Sequence, residues 1–355
     1  MKKIVLIKLS LWLVMVIVSL SVGQVAADGF RAGIAVRNVT PDPLLPVSGG
    51  VGPGHKTTEK MGELTVRALV VENGGVRVAI VSADFLGFPS VLGDRVRAKV
   101  PSIPPENILI GATHTHSAPD CYGFPDGTGG TAANLDYLER VCGAMAEAVN
   151  TAVEKLQPAS LRIATGEAKG KIAYNYYAPQ LYDPRCHVIQ ALDADSKPIA
   201  TLVNYAIHPE VLGAGQGVLS PDLIGPLYDR ISQSGGGIGI FMNSAQGGMV
   251  TADCRGPDGR DIQTWAECVR IGNLLADEAL RIVGVAPVQV SPPVFSAHKV
   301  VRFPVESELL LAVMKASPLK LAPEGTDSVS TRVNLVNLGT AQILTIPGEA
   351  LPNIG

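Results

Sequence analysis

The chain is poor in charge and in aromatic rings: 17% of its 355 residues are Asp, Glu, Lys or Arg, and 5% are Phe, Trp or Tyr. No run of Lys or Arg appears outside the extreme N-terminus, and the formal net charge is -3. Proteins that grip duplex nucleic acid present a basic face, so nucleic acid is not an expected partner. The five cysteines, Cys121, Cys142, Cys186, Cys254 and Cys268, include no CxxC pair. A structural zinc cluster or a thioredoxin-like site is therefore not supported. There is neither a phosphate-cradling P-loop nor a GxSxG nucleophile motif. After the first two dozen or so residues, no uncharged apolar run approaches the roughly 20 residues a spanning helix needs.

What the chain does have is apolar bulk and many turn formers. Hydrophobic residues make up 46%, with 38 Gly and 26 Pro. That composition builds a real core joined by many irregular loops, and it is not that of a disordered tail. The N-terminus places Lys2, Lys3 and Lys8 before the apolar run 9–22 and the small-residue stretch Gly23-Gln-Val-Ala-Ala27. This is the pattern of a secretory signal peptide cleaved after Ala27, and the run is short for an uncleaved anchor. The expectation is a secreted or periplasmic protein with no stable transmembrane anchor. Export permits disulfides, an odd cysteine count leaves at least one thiol over, and Cys254–Cys268 is the expected pair.

Hydrophobic periodicity predicts strands over 30–39, 64–72 and 76–83, the last two forming a hairpin across Asn73-Gly74-Gly75. It predicts a helix over 90–100, a buried strand over 107–113 and a long helix over 135–156. Further strands are expected over 160–167, 187–192, 199–206 and 238–242, with a helix over 221–232. Thr264 and Glu267 read as a capping box opening a helix to Val283. Strands over 331–338 and 342–346 lead to Pro347-Gly348-Glu349. The segment 40–60 reads as a long surface loop. Strands and helices interleave, and some neighbouring strands are joined as hairpins. The fold class is therefore mixed α/β (α+β): a mixed β-sheet flanked by helices, with the site at strand-end loops. No internal repeat is visible. One catalytic domain, residues 28–355, follows the leader.

Three of the six histidines fall just past apolar strands: His114 and His116 after one, His208 after another. Strand-end loops commonly carry active sites, and imidazole is a common zinc ligand. On extended chain an HxH pair would put both rings on one side. Each histidine could equally be a satisfied core or surface residue. His55 lies in the Gly/Pro loop, and His187 and His298 fall in strands. Asp84, Asp120, Asp222 and Glu349 follow apolar segments, where a carboxylate is often only a cap or turn residue. Asp222 could also sit in the first turn of a helix. The loop 243–249, with Asn243, Gln246 and Gly247, has glycines that let backbone approach a ligand.

The stretch Ala112-Thr-His-Thr-His-Ser-Ala-Pro119 resembles the THTHSGP signature of the neutral/alkaline, non-lysosomal ceramidases. Asn204-Tyr-Ala-Ile-His-Pro209 resembles that family's second histidine segment, and Ile346-Pro-Gly-Glu349 its PGE segment. The likeness runs from about Gly33 to Glu349. It implies one Zn²⁺ held by His114, His208 and Glu349, with His116 beside it handling protons. It places Asp84, Asp222, Asn243, Gln246 and Gly247 at the substrate or behind the ligands. The implied activity is hydrolysis of an N-acyl amide, ceramide or a similar lipid or small molecule, by zinc-activated water. Four departures stand out. The family's later Tyr ligand and its immunoglobulin-like domain have no counterpart before Gly355. Gln246 and Gly248 replace an Asp and a Ser of the loop. Tyr176 follows Asn175 where the family has Arg, and Ala118 replaces Gly. They leave open a zinc esterase or other hydrolase with a different substrate, or a relative that binds metal or ligand without turnover.

Overall fold

The computed structural model describes residues 29–322 and 325–355. The expected leader, residues 1–27, lies outside the described residues.

The first sheet grows from a meander. Strands β1 (Arg31–Asn38), β2 (Thr65–Asn73) and β3 (Val76–Ala83) pair antiparallel in succession. The hairpin between β2 and β3 is the one predicted, with Gly74 and Gly75 at positive φ in its turn. Helix α1 (Ser90–Arg97) then crosses over to β4 (Ile108–Ala112), which lies parallel to β3. Helix α2 (Leu135–Glu154) returns the chain to a two-residue strand, β5 (Gln157–Pro158), on the free edge of β1. The Asn134 side chain caps α2 by accepting from Tyr137 N–H at 2.9 Å.

The second sheet repeats this plan. Strands β6 (Ser160–Glu167), β7 (Arg185–Leu192) and β8 (Pro198–Tyr205) form an antiparallel meander. Helix α3 (Ile224–Gln233) leads to β9 (Ile238–Asn243), parallel to β8. Helix α4 (Trp265–Gly284) leads back to β10 (Val288–Gln289) on the edge of β6. The strand orders are β4-β3-β2-β1-β5 and β9-β8-β7-β6-β10, position for position the same. The sequence shows no repeat because topology constrains only which positions are apolar.

The two sheets pack face to face. Ile34, Leu69, Val71, Val78, Ile80 and Leu109 meet Leu161, Ile189, Leu202 and Ile240 in one buried layer. Alternate residues point outward, as strand geometry requires. Val66, Val70 and Val81 pack on α1 and α2 through Leu92, Val96, Leu138 and Met145. Val188, Val203 and Phe241 pack on α3 and α4 through Leu227, Ile231, Leu275 and Ala279. The layers run helix, sheet, sheet, helix, so the expected mixed sheet flanked by helices is present twice. A third sheet, β11 (Val294–Pro304), β12 (Ser328–Leu338) and β13 (Ala341–Leu344), closes one side, with helix α5 (Glu308–Ala316) between its first two strands. Val294, Val336 and Leu338 enter the inter-sheet layer. Among the described residues no helix is long and apolar enough to cross a membrane.

Four expectations need correction. The segment 40–60 is not a free surface loop. Val47–Ser48 pairs with Ala118–Pro119, and Glu59–Lys60 pairs with Val218–Leu219. Helix α3 begins at Ile224 rather than Pro221, because Asp222 has φ 54°, outside the helical region. The Thr264 cap forms, accepting from Glu267 N–H at 3.4 Å, but the return half of the capping box does not. The Glu267 carboxylate instead takes Arg270 at 2.9 and 2.7 Å. Finally, Cys254 and Cys268 are not joined: all five cysteines are free and buried. The Cys268 thiol is hydrogen-bonded to the Asp222 carboxylate. Burial pushes the Cys254 thiol up to about 12.

Candidate metal centre

His114 lies just past β4. The ladder between β3 and β4 continues beyond both strands, with Thr113 N–H donating to Ala83 and His114 N–H to Phe85, both at 2.9 Å. At His114 the backbone turns into the left-handed region, φ 70°. For a residue with a β-carbon that costs about 1–2 kcal/mol and needs surrounding structure to hold it. The HxH pair therefore does not share a face through strand alternation, as the sequence suggested. The turn at His114 brings the rings together instead, with centroids 4.9 Å apart and edge to face. His208 follows β8. Its N–H donates to Val250 O at 2.8 Å, on the short strand Val250–Ala252.

The three rings converge. His208 is 4.7 Å from His114 and 5.6 Å from His116, centroid to centroid. One nitrogen from each lies within 4.8 Å of the others. Glu349, beyond β13, reaches the same point: its carboxylate oxygens lie 3.5 Å from His114 Nε2 and 3.3 Å from His208 Nε2. Thus four residues expected to act together, His114, His116, His208 and Glu349, are brought together.

Each imidazole is tethered on its far side. His114 Nδ1 is 2.6 Å from Leu86 O, and His208 Nδ1 is 2.9 Å from Val250 O. His116 is hydrogen-bonded to the Gly49 carbonyl. A carbonyl oxygen only accepts, so the tethered nitrogen carries a hydrogen, and in the neutral ring the lone pair is on the nitrogen that faces the centre. Burial, reinforced by the neighbouring rings, holds His114 below its ordinary range and drives His116 down to about 3. Burial alone would lower His208 too, but Glu349 and the Val250 carbonyl more than reverse that. The bond from His208, with the other histidines nearby, holds Glu349 below the usual carboxylate range. His114 Nε2 and His116 Nε2 are buried with no hydrogen-bond partner. Orphaned, neutral, carbonyl-tethered imidazoles beside a carboxylate are the donor set a divalent cation takes. This buried histidine group could hold a metal ion.

Asn243 ties the two histidine segments to each other. Its Nδ2 donates to Thr113 O at 3.1 Å and to Ile207 O at 2.7 Å, and its Oδ1 accepts from Ile207 N–H at 3.2 Å. Gly247 N–H donates to Ala350 O at 2.8 Å. A β-carbon on Gly247 would lie 2.5 Å from Glu349 O, so only glycine lets the Glu349 segment come this close. Gln246 is buried in the same loop. Asp84 and Asp222 are too deeply buried to touch substrate. Asp84 accepts Thr65 N–H and O–H, each at 2.8 Å, at the end of β3. Asp222 accepts Leu212 N–H at 2.9 Å and Leu223 N–H at 2.7 Å, joining the segment after His208 to the start of α3. Burial raises Asp222 to about 6. Asp120 is a turn residue, accepting Tyr122 and Phe124 N–H at 2.7 Å each.

Glu210 escaped the sequence reading. Its carboxylate lies 3.8 Å from His116 Nδ1, and burial raises it above its usual range. An acidic residue directly after His208-Pro209 was the available signal. Glu210 borders two cavities. One, of about 430 Å³, opens beside His116 between segment 49–53, His55 and Gln263. The other, of about 210 Å³, is lined by Tyr176, Met249, Thr251, Asp261 and Gln263. His187 sits in β7 beside Thr165, and His298 in β11, both away from the centre.

No family model and no curated protein matches this sequence. Among solved structures, the neutral ceramidase from Pseudomonas aeruginosa matches with a TM-score of 0.70 at 16% identity, over 90% of this chain and 62% of that one. A ceramidase complexed with C2 matches with a TM-score of 0.69 at 16% identity, over 90% of this chain and 64% of that one. The chain thus spans less than two thirds of either neighbour's length. What is shared across nearly all of the present chain is the fold.

Proposed function

We propose that the chain is an exported zinc-dependent hydrolase that cleaves an N-acyl amide, ceramide or a similar lipid or small molecule. The observation that carries this is the convergence of His114, His116, His208 and Glu349 on one buried point. The ceramidase-like fold agrees with it. His114, His208 and Glu349 would hold the ion, supplying two neutral nitrogens and one ionised oxygen. When bound there, zinc polarises an acyl carbonyl and lowers the pKa of water toward about 7. His116 presents an unpartnered Nε2 to the same point. That nitrogen would take the proton from the attacking water and hand one to the departing amine. The tether to Gly49 fixes its ring. The glycine-rich wall 49–53 leaves room for a substrate next to it.

The test is metal content by elemental analysis, followed by hydrolysis of an N-acyl sphingosine and a panel of linear amides. One equivalent of zinc with chelator-sensitive amide cleavage is expected. A full equivalent of zinc with no cleavage of any amide would refute the hydrolase reading and leave a metal-binding protein.

A further inference from the structure

We propose that Glu210 is the positioning residue of His116, holding the Nδ1–H edge of that ring away from the centre so that its Nε2 lone pair stays turned toward it. The effect on turnover rests on the hydrolase reading above, whereas the effect on the ring does not.

The segment from His208 to Glu210 grips His116 twice. His116 N–H donates to Pro209 O at 3.2 Å, and the Glu210 carboxylate stands 3.8 Å from His116 Nδ1. His116 Nε2 is buried without a partner, so Nδ1 is the nitrogen tied to the Gly49 carbonyl. Two acceptors, a carbonyl and a carboxylate, thus face one edge of the ring. Moving the hydrogen to Nε2 would set a bare lone pair against both, and turning the ring over would set a C–H there. A separation of 3.8 Å is long for a hydrogen bond, but such contacts tighten when a catalytic site takes its substrate.

The two acceptors are not anchored alike. Gly49 opens the glycine-rich wall 49–53, which borders the cavity of about 430 Å³ beside His116 and whose Val51 is 65% exposed. That is the acceptor an entering substrate presses on. Glu210 is built into the frame instead. Its N–H donates to His208 O at 3.0 Å, and its carboxylate is hydrogen-bonded to Thr251. Thr251 is itself buried and bridges His208. Glu210 therefore sets the His116 ring relative to His208, 5.6 Å away between centroids, whatever the wall does. A glutamine can make the same two contacts, its NH₂ toward the Thr251 hydroxyl and its oxygen toward Nδ1–H. A leucine can make neither.

The test compares Glu210→Gln and Glu210→Leu with the wild type in two ways. One is NMR of the ¹⁵N-labelled histidines, the His116 signals being those absent from His116→Ala. The other is steady-state hydrolysis of an N-acyl sphingosine by the zinc-loaded protein. A sharp Nδ1–H signal is expected in the wild type and in Glu210→Gln, and one broadened by exchange in Glu210→Leu. In Glu210→Leu kcat should fall about 30-fold or more, in Glu210→Gln less than about fivefold, with KM within about threefold in both and zinc content unchanged. An equally sharp signal in Glu210→Leu overturns the proposal, as does a signal broadened in both variants or in the wild type, and the hydrolase stands in each case. If the wild type cleaves nothing, the hydrolase reading fails and the NMR comparison alone decides. If Glu210→Leu does not fold, Thr251→Val, which releases the carboxylate, takes its place with the same outcomes.

Discussion

Changing Asn243 to Asp replaces an NH₂ group by an oxygen and turns two donated hydrogen bonds into two repulsions. The Thr113 and Ile207 carbonyls, each next to a histidine, would then face a carboxylate. The expected cost is at least about 2 kcal/mol in stability. Metal affinity should fall by about 10–100-fold, as for other residues that orient ligands. Denaturation and calorimetric metal titration measure both, and unchanged affinity would mean the amide does not space the rings. The histidines themselves should separate into two behaviours. His114→Ala and His208→Ala should each lower zinc affinity by more than about 100-fold. His116→Ala should keep the ion and lose turnover, and loss of the ion instead would make His116 a ligand. Asp222 gives a pH signature away from the ligands. Its carboxyl is raised from 3.8 to about 6 in the fold, so the folded state binds that proton more tightly than the unfolded chain. Its contribution therefore grows as pH falls from about 6 toward 4, by roughly 3 kcal/mol at most, and is lost again as pH rises through 6. Urea denaturation of wild type against Asp222→Asn should show that divergence. Parallel pH curves would count against it. At this scale the sequence was informative about His114, His208 and Glu349 because their motifs resemble a known family's. Asp84 and Asp222 were legible only as carboxylates after apolar segments, and their burial could not be read. Glu210 was missed because no motif marks it.

Gly247 shows why an element's placement matters as much as its ligands. The loop after β9 and the segment carrying Glu349 touch through one backbone hydrogen bond, with no space for a methyl group. Gly247→Ala should push Glu349 outward, lowering metal affinity about tenfold or more with every ligand intact. Metal titration of that variant checks this, and wild-type affinity would show that the segment yields. The strong periodic elements were readable in the sequence. The long α2 and α4, the β2–β3 hairpin and β6 fall within about two residues of expectation, because burial on one face dictates period 3.6 or 2. What was not readable has a common cause. Strand β11 and helix α5 lie largely exposed, so no face of either is forced to be apolar. The two-residue strands inside 40–60 take their order from the chain they meet, not from their own residues.

Across the whole molecule the duplicated plan has a thermodynamic corollary. His114 follows a strand of the first sheet, His208 a strand of the second, and Glu349 the last strand of the third. An ion held by all three staples units that also meet through the apolar inter-sheet layer and through hydrogen bonds such as Asn243 to Thr113. At a thousandfold excess over its dissociation constant it should add about 4 kcal/mol, or roughly 5–10 °C in melting temperature. Calorimetry with and without chelator measures this, and the increment should vanish in His208→Ala. An equal increment in that variant would place the ion elsewhere. The sequence showed the alternation of strands and helices, but not that one plan occurs twice, since strand order is not written in hydrophobicity.

The left-handed turn at His114 leaves the protein a narrow path of descent. A glycine there would relieve the backbone but delete the imidazole, and any bulkier side chain would keep the strain without the chemistry. Drift at this position meets a penalty in either direction, so histidine is expected to persist in descendants that retain the ion and to be among the first residues to vanish in those that abandon it.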